Sequence, residues 1–498
     1  MRAWLGYSII KFMKYQSTIG LEIHAELKTQ TKMFCDSLND PDEKHPNVNV
    51  CPVCMGHPGA LPVINKQAVK EVIRVGLALG GKIAEYSRFE RKNYFYPDLP
   101  KGYQISQYEH PLVEGGELAL PLSGKKIRIR RVHLEEDTGR LIHEEVGSDA
   151  KSERASLVDF NRAGVPLMEL VTEPDLNSAG ETSEFAEELQ LLLRFLGVSD
   201  ADMEKGQMRL EANVSLNMGT KVELKNINSF NALRRAIESE TLRQEKIIEE
   251  GREIKHETRG WDEAKQKTFT QRTKELSHDY RYFPEPDLPP LKVYEDEELN
   301  PETLMQSLPE LPWQKRKRFE KEYGLEKKEA LALVSDKALS DFFENAVSEL
   351  MEWASSDNKS QATKLVFNYL TSDLRGLLKE KELPWGELLA TPENFAELVK
   401  MIMENTISSR AAKDILKIMV EEGGDPSDIV RDRGLVQISN EGALEEIAKK
   451  VIDVNPQAVS DYKAGKANTL QFLVGQVMKE TKGSANPEVV RKVLTNLL

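Results

Sequence analysis

The segment Thr18-Ile19-Gly20-Leu21-Glu22-Ile23-His24-Ala25-Glu26-Leu27 alternates strictly between apolar and polar side chains. Strand side chains repeat every two residues, so Ile19, Leu21, Ile23, Ala25 and Leu27 share one face, and Glu22, His24 and Glu26 share the other. A carboxylate and an imidazole two apart on one face can meet a single cation. The theme recurs. Met208–Leu216 sets Arg209, Glu211, Asn213 and Ser215 opposite an apolar face; Val222-Glu223-Leu224-Lys225-Asn226 pairs Glu223 with Lys225; residues 167–173 put Glu169 and Glu173 on one side; and Leu134-Glu135-Glu136-Asp137 adds an acidic turn. Such charges are ordinary on the solvated outer face of an antiparallel sheet. The alternative is a concave sheet whose polar face gathers hard oxygen ligands. Oxygen-rich sites with one imidazole suit Mg²⁺ or Mn²⁺, with phosphate oxygens completing the shell.

Two loops carry further chemistry. Residues 89–104 interleave Arg91, Lys92, Asn93, Tyr94, Tyr96, Lys101 and Tyr103 with Pro and Gly. Such a loop can stack a base or adenosine and hold phosphate through Lys92 or Lys101, or it can simply pack as a surface loop. The chain has three cysteines. Cys51-Pro52-Val53-Cys54 is a knuckle of metal-binding spacing, and Cys35 would be a third ligand. A closed zinc site needs a fourth, for which His45 or His57 is available; the alternative is three free thiols in a Pro-rich loop. Gly76-Leu77-Ala78-Leu79-Gly80-Gly81-Lys82 fits a P-loop skeleton, but Ile83 stands where Ser or Thr is required, and the stretch ends a helix. Any nucleotide site is therefore of another type.

The elements that must position these residues fall into two regimes. Up to about residue 290, short alternating strands mix with amphipathic helices. Asn65 caps one helix that ends near Gly80, Asn177 or Ser178 opens another that stops at Gly197, and a long one runs from about Ser229 to Gly251. Four prolines between Phe283 and Pro290 then forbid helix and central strand. Beyond them the pattern is helical, with Leu339, Phe342, Phe343 and Val347 at helical steps after a cap at Ser335. A second break falls at Gly423-Gly424-Asp425-Pro426. The expected class is α+β: a mixed, largely antiparallel sheet domain over residues 14–292, an all-α domain over 293–424 and a small helical tail over 425–498. Residues 1–13 lack the apolar core and cleavage site of a signal peptide and read as an N-terminal extension.

Composition bounds the partners. The 498 residues carry a formal charge of −14, which argues against a surface coated for nucleic acid but leaves room for a local basic patch. No apolar run approaches the roughly 18 residues of a membrane span. So few cysteines suggest a reducing, cytoplasmic setting.

Longer strings carry a family resemblance. Ile19-Gly20-Leu21-Glu22-Ile23-His24, Arg91-Lys92-Asn93-Tyr94-Phe95-Tyr96-Pro97-Asp98, Tyr103-Gln104-Ile105-Ser106-Gln107 and Leu157-Val158-Asp159-Phe160-Asn161-Arg162 resemble the B subunits of tRNA-dependent amidotransferases. So do Pro166-Leu167-Met168-Glu169, Glu223-Leu224-Lys225-Asn226-Ile227-Asn228-Ser229-Phe230 and Asp279-Tyr280-Arg281-Tyr282-Phe283-Pro284-Glu285-Pro286-Asp287. Phe472-Leu473-Val474-Gly475-Gln476-Val477-Met478-Lys479 and Ala485-Asn486-Pro487 look like that family's tail. An archaeal relative carries an inserted domain for which residues 228–279 leave no room.

The resemblance implies a cradle-shaped catalytic domain, a helical domain and a tail that contacts tRNA. It implies that the chain uses ATP to activate the side-chain carboxylate of Glu-tRNA(Gln) or Asp-tRNA(Asn) for amidation. Ammonia would come from an amidase-type glutaminase A subunit clasped by a small C subunit. Carried over by motif, Glu22, His24, Glu136 and Glu169 resemble magnesium-site residues, and Glu211 stands where an acidic residue, usually Asp, lines the same site. The family's zinc loop often has a second Cys where Ser37 stands here. Lys92, Asn93, Tyr94, Arg209 and Lys225 are candidates for contact with nucleotide, phosphate or substrate carboxylate. In the tail, Lys463, Lys466, Lys479 and Lys482 are candidates for tRNA backbone contact, or else form solvated helix faces. Two rival readings remain: a non-catalytic tRNA-binding scaffold and a metal-dependent nuclease.

Overall fold

A computed structural model of the chain describes residues 15–146, 153–273, 280–353, 358–435, 441–466, 468–481 and 485–498. The expected extension and Lys482 lie outside them. The chain divides into two compact units, Met1–Trp313 and Gln314–Leu498.

In the first unit the alternating strand Ser17–Glu26 lies inside a sheet of ten strands among the described residues. From one edge the order is Lys267–Thr273, Glu257–Asp262, Val222–Ile227, Met208–Leu216, Ser17–Glu26, Pro166–Thr172, Lys126–Glu136, Val113–Glu114 and Lys82–Ile83, with Glu117–Ala119 pairing off Lys126–Glu136. Neighbours are antiparallel except Val222–Ile227 with Glu257–Asp262, which run parallel. The expected mixed, largely antiparallel sheet is therefore present.

One face of this sheet is sealed by helices. Ile19, Leu21, Ile23, Ala25 and Leu27 are all 1 % exposed or less. They share a core with Val69, Val72 and Ile73 of the helix Lys66–Ala78, with Phe185, Leu189 and Leu192 of Ala179–Leu196, and with Leu233 and Ile237 of Phe230–Glu249. Each helix starts where its cap predicts. The side chains of Asn65, Ser178 and Ser229 accept backbone N–H groups of the first turn. Of the two candidates for the second helix, Ser178 is the cap, and Asn177 instead donates to the Ser17 carbonyl. With its apolar face sealed, the sheet leaves its other face to polar side chains.

Two details differ from expectation. Residues 293–313 do not open the helical domain. Val293, Leu299, Leu304 and Leu311 complete the core of the first unit, and Phe283–Pro284 still pairs with the strand Glu90–Asn93. Proline is tolerated there because Phe283–Pro284 is the edge strand of its three-stranded sheet. In the second unit the helix Lys337–Trp353 is capped by Asp336, whose carboxylate accepts the Leu339 N–H, while the Ser335 hydroxyl turns back to the Ala332 carbonyl. That unit is helical throughout its described residues, and its tail packs Leu444, Val451, Leu473, Val477, Val490 and Leu494 together.

Because Ile23 is fully buried between Glu22 and His24, Ile23→Ala should lower the unfolding free energy of the first unit by about 2–5 kcal/mol and Ile23→Val by about 1 kcal/mol, read from urea denaturation midpoints.

Candidate divalent-cation site

Strand register builds the site. His24 lies opposite Glu169 on one side and Arg209 on the other, and Glu169 lies opposite His133. In the next row Glu22 lies opposite Glu211. The side chains follow the register. His24 Nε2 stands 3.3 Å from Glu169 Oε2 and 3.5 Å from Glu135 Oε1. His133 Nε2 stands 3.4 Å from the same Glu169 Oε2 and 4.0 Å from Glu135 Oε2. Three overlapping triads have ligand atoms within 4.8 Å of one another: Glu22, His24 and Glu169; His133, Glu135 and Glu169; and Glu22, Glu211 and Glu223.

The electrostatics reflect crowded negative charge. Burial, with Glu169 and Glu211 nearby, pushes Glu22 up to about 7. Burial opposes a charge on His24, but the hydrogen bond and charge of Glu169, with Glu135 and Glu211 behind it, win and raise His24 to about 9. Burial likewise works against Glu169, and His133 and His24 overcome it to hold its carboxyl well below the usual range. Protonated imidazole thus stands among carboxylates, as a divalent ion could. Hard oxygen donors with imidazole fit Mg²⁺ or Mn²⁺.

Glu136 is not part of this cluster. Its carboxylate pairs with Lys101 and accepts the Ile105 N–H at 2.8 Å, on the opposite face of the strand. The reason is a slip of register. Along Lys126–Glu136 the buried apolar residues run Ile127, Ile129 and then Val132, Leu134, so the phase changes between Arg130 and Arg131. The pairing register with Pro166–Thr172 shifts at the same place. Past the slip, Arg131, His133 and Glu135 face the site and Glu136 faces away. The mid-strand phase change was the available signal for Glu135 and His133, both missed from sequence.

A second bulge serves Glu211. One residue of Met208–Leu216 there opposes two of Val222–Ile227, and Asn226 takes φ +60°. The kink aims Lys225 at Glu211, 2.9 Å away. Arg209 reaches Asp137 at 2.9 Å rather than the cation cluster. Burial would raise Asp137, but Arg209 and Arg162 hold it low, while burial and Asp137 push neighbouring Glu26 up to about 8.

Lys92 closes another side. Its ammonium lies 5.0 Å from the Tyr280 ring centre and 5.8 Å from that of Tyr94. Burial works against its charge, but Glu135, Tyr282 and Glu169 raise it. Tyr282 stacks on Tyr108 at 4.5 Å, and Arg131 covers the Tyr108 ring at 5.3 Å. Asn93 does not face the cluster. Its amide donates to the Arg281 carbonyl at 2.8 Å and so holds the tyrosine segment in place.

Cys35, Cys51 and Cys54 gather with sulfur atoms within 4.8 Å. His45 is exposed and bonded to Glu43, and Ser37 Oγ lies 4.0 Å from Cys54 Sγ. Hydrogen bonding from Cys35 pushes the Cys54 thiol down to about 4, against burial, and the Lys32 ammonium lies 3.8 Å from its sulfur. Three sulfur atoms gathered in this way fit a soft cation such as zinc. In the second unit Lys463, Lys466 and Lys479 are exposed, and Lys466 pairs with Asp461. No described helix is long and apolar enough to cross a membrane.

Residues 17–298 match the family model described as the GatB/GatE catalytic domain, and residues 341–498 match that of the GatB domain. A protein of Crocosphaera subtropica, named as the B subunit of aspartyl/glutamyl-tRNA(Asn/Gln) amidotransferase, is 46% identical over 97% of this chain and 98% of its own. Proteins of the same name from Thermotoga neapolitana and Caldanaerobacter subterraneus are 47% and 46% identical, over 98% and 97% of this chain and 99% of their own.

With metal withheld, Glu169→Gln should drop His24 from about 9 to or below its ordinary value near 6.5, because burial then acts on it with less opposition. Imidazole NMR titration of the variant checks this; a His24 that still titrates near 9 would show that Glu169 does not hold it.

Proposed function

The chain belongs to the family of amidotransferase B subunits, and from that premise we propose that it activates the side-chain carboxylate of Glu-tRNA(Gln) or Asp-tRNA(Asn) with ATP and amidates it. The observation that carries the reading is the convergence of Glu22, His24, Glu135 and Glu169 on one face of the sheet.

Ammonia cannot displace oxide from a carboxylate. A carboxylate oxygen first attacks the γ-phosphorus of ATP, and the bond to the β-γ bridging oxygen breaks to release ADP. Ammonia then adds to the acyl phosphate carbonyl, phosphate departs and the nitrogen loses a proton, leaving the amide. Mg²⁺ held by Glu22, His24, Glu135 and Glu169 would supply charge neutralisation for the transferring phosphoryl group. Lys92 brings a fixed positive charge beside that group, and Tyr94, Tyr280 and Tyr282 exclude water around it. Lys225, steered by the bulge, fixes Glu211 at the rim and offers a second cation to phosphate or the substrate carboxylate. Ammonia would be delivered by a glutaminase A subunit with a small C subunit, and Lys463, Lys466, Lys479 and Lys482 of the tail would contact the tRNA backbone. The cysteine trio would hold a structural zinc with an exchangeable fourth position. Domain roles follow the same reading: catalysis in the sheet unit, tRNA contact in the helical tail.

In the reconstituted complex, Glu169→Gln and Glu135→Gln should each lower amidation on the order of 10²-fold or more while tRNA binding persists. Full amidation by either variant would favour a scaffold role, and cleavage of tRNA with Mg²⁺ and no ATP would favour a nuclease. Ser37→Cys supplies a fourth thiolate, so zinc retained per chain after chelator challenge should rise in elemental analysis; unchanged, negligible zinc in both proteins would mean three plain thiols.

A further inference from the structure

We propose that Cys51 and Cys54 form a reversible redox switch: a hydroperoxide joins their sulfurs in a disulfide, and closing that bond takes a buried partner from Lys32 and loosens the loop that supports Lys101. The inference goes beyond the zinc reading and does not need it, because a bound ion and a disulfide are alternative states of the same sulfurs.

The geometry singles out this pair. Cys51 Sγ lies 3.9 Å from Cys54 Sγ, across a tight turn in which the Met55 N–H bonds back to the Cys51 carbonyl at 3.0 Å. A disulfide of about 2.05 Å therefore asks the sulfurs to approach by only about 2 Å. The two residues differ in access. Cys51 is half-buried, whereas Cys54 is 4 % exposed. Donors converge on the buried sulfur, which accepts the Cys51 N–H at 3.1 Å and stands 3.8 Å from the Lys32 ammonium. The accessible sulfur thus meets the oxidant and the buried one resolves it. Cys51 Sγ attacks a peroxide oxygen, the O–O bond breaks, and the leaving oxygen takes the Cys51 proton and departs as water or an alcohol. That leaves a sulfenic acid on Cys51. Cys54 Sγ then attacks the Cys51 sulfur, the S–O bond breaks, and the departing hydroxide takes the Cys54 proton to become water. Two thiols are oxidised and one peroxide is reduced.

Lys32 turns the bond into a signal. The residue is 0 % exposed, and its hydrogen-bond partners among the described residues are the Cys54 sulfur and the Phe160 carbonyl, the latter at 3.3 Å. With Cys54 drawn onto Cys51, the ammonium keeps the carbonyl alone, and a buried charge so short of partners is costly. The cost falls on the loop and its supports. Cys54 Cβ and the Lys32 stem back onto Gly164, where an added Cβ would lie 3.3 and 3.6 Å from them, and the Gly164 N–H bonds to the Asp137 carbonyl at 2.9 Å. On the other flank Gly56 takes φ +66°, and a Cβ there would fall 2.5 Å from Lys101 Cγ. Lys101 in turn pairs with Glu136. The knuckle is therefore wedged against both supports of the Glu136-Asp137 turn, next to Glu135 of the carboxylate cluster, and a shift of the sulfurs reaches the site through them.

The test treats the zinc-free full-length chain, in the reconstituted complex, with hydrogen peroxide. Amidation is driven by an ammonium salt, so that damage to a glutaminase cannot imitate the effect. Peptide mass spectrometry locates the bond. Two of the three thiols should be lost in a Cys51–Cys54 disulfide, together with most of the amidation activity, and dithiothreitol should restore both. Cys51→Ser and Cys54→Ser, each compared with its own untreated activity, should lose little under peroxide. Circular dichroism shows which variants fold; the wild-type bond and its reversal stand without either. Thiols that stay reactive, that oxidise irreversibly without a disulfide, or that link through Cys35 overturn the pair. A disulfide with unchanged amidation, or an equal loss in Cys51→Ser, overturns the switch. The same treatment is repeated after zinc loading. A disulfide that forms in the chain whether or not zinc was bound upholds the switch, and a chain that takes up no zinc counts against the zinc reading alone.

Discussion

Carboxylates that repel one another are kept on one half-buried sheet face, and everything else in the first unit answers to that repulsion. Glu22, Glu135, Glu169 and Glu211 come from four different strands. Left to itself such a group would splay apart or take up protons, and in Glu22 burial first, then Glu169 and Glu211, raise the affinity for protons to about 7. What prevents splaying is the packing behind the sheet. Ile19, Leu21 and Ile23 alternate with the polar residues and are locked against three helices, so no polar side chain can swing to the other face without exposing an apolar one. The hydrophobic effect on one face thus holds a costly charge arrangement on the other.

How much of this was legible depended on whether the signal was local. The strand around His24 could be read outright, because alternation over ten residues fixes both faces at once. The caps at Asn65 and Ser229 could be read for the same reason, since a cap bonds within its own first turn. Glu136 failed at a point where the rule changes mid-strand. Carried over by motif, it turns instead to Lys101, because a one-residue slip at Arg130 and Arg131 changes which side chains share the face of His24. His133 was missed because its meaning is cross-strand: alone it is a histidine among arginines, and only the register sets it opposite Glu169. The proline-rich stretch misled differently. Prolines end regular pairing but do not end a core, and Leu299, Leu304 and Leu311 still had apolar surface to cover.

The cysteine loop makes a parallel case about what motif spacing settles. The knuckle Cys51 to Cys54 and distant Cys35 do converge, as spacing alone suggested. The fourth corner could not be read from spacing, because His45 and His57 both lie within six residues of the knuckle. His45 turns outward to Glu43, and the hydroxyl of Ser37 lies beside Cys54. A hydroxyl is a weaker zinc ligand than a thiolate, so the same backbone holds a more open site than four cysteines would.

The positive charges around the acid cluster are of two kinds, and the distinction bears on how an anionic substrate can enter. Lys225, Arg209 and Lys101 are each matched to a carboxylate, Glu211, Asp137 and Glu136 respectively. Those pairs brace the rim, and an anion that meets one of these cations must share it with its carboxylate. Lys92 is different. Its ammonium is cradled by the faces of Tyr94 and Tyr280, with no carboxylate among the described residues in ion-pair contact, though Glu135 and Glu169 act on it from farther away. Aromatic faces stabilise a cation without neutralising it. A charge so held can be moved toward a phosphate as the phosphate arrives, without first breaking a salt bridge. Asn93 makes this arrangement rigid by fixing the backbone at Tyr280 and Arg281, two strands' reach from its own sequence neighbours. The sheet therefore gathers negative charge to attract cations, while the tyrosine wall keeps one cation uncommitted for an anion.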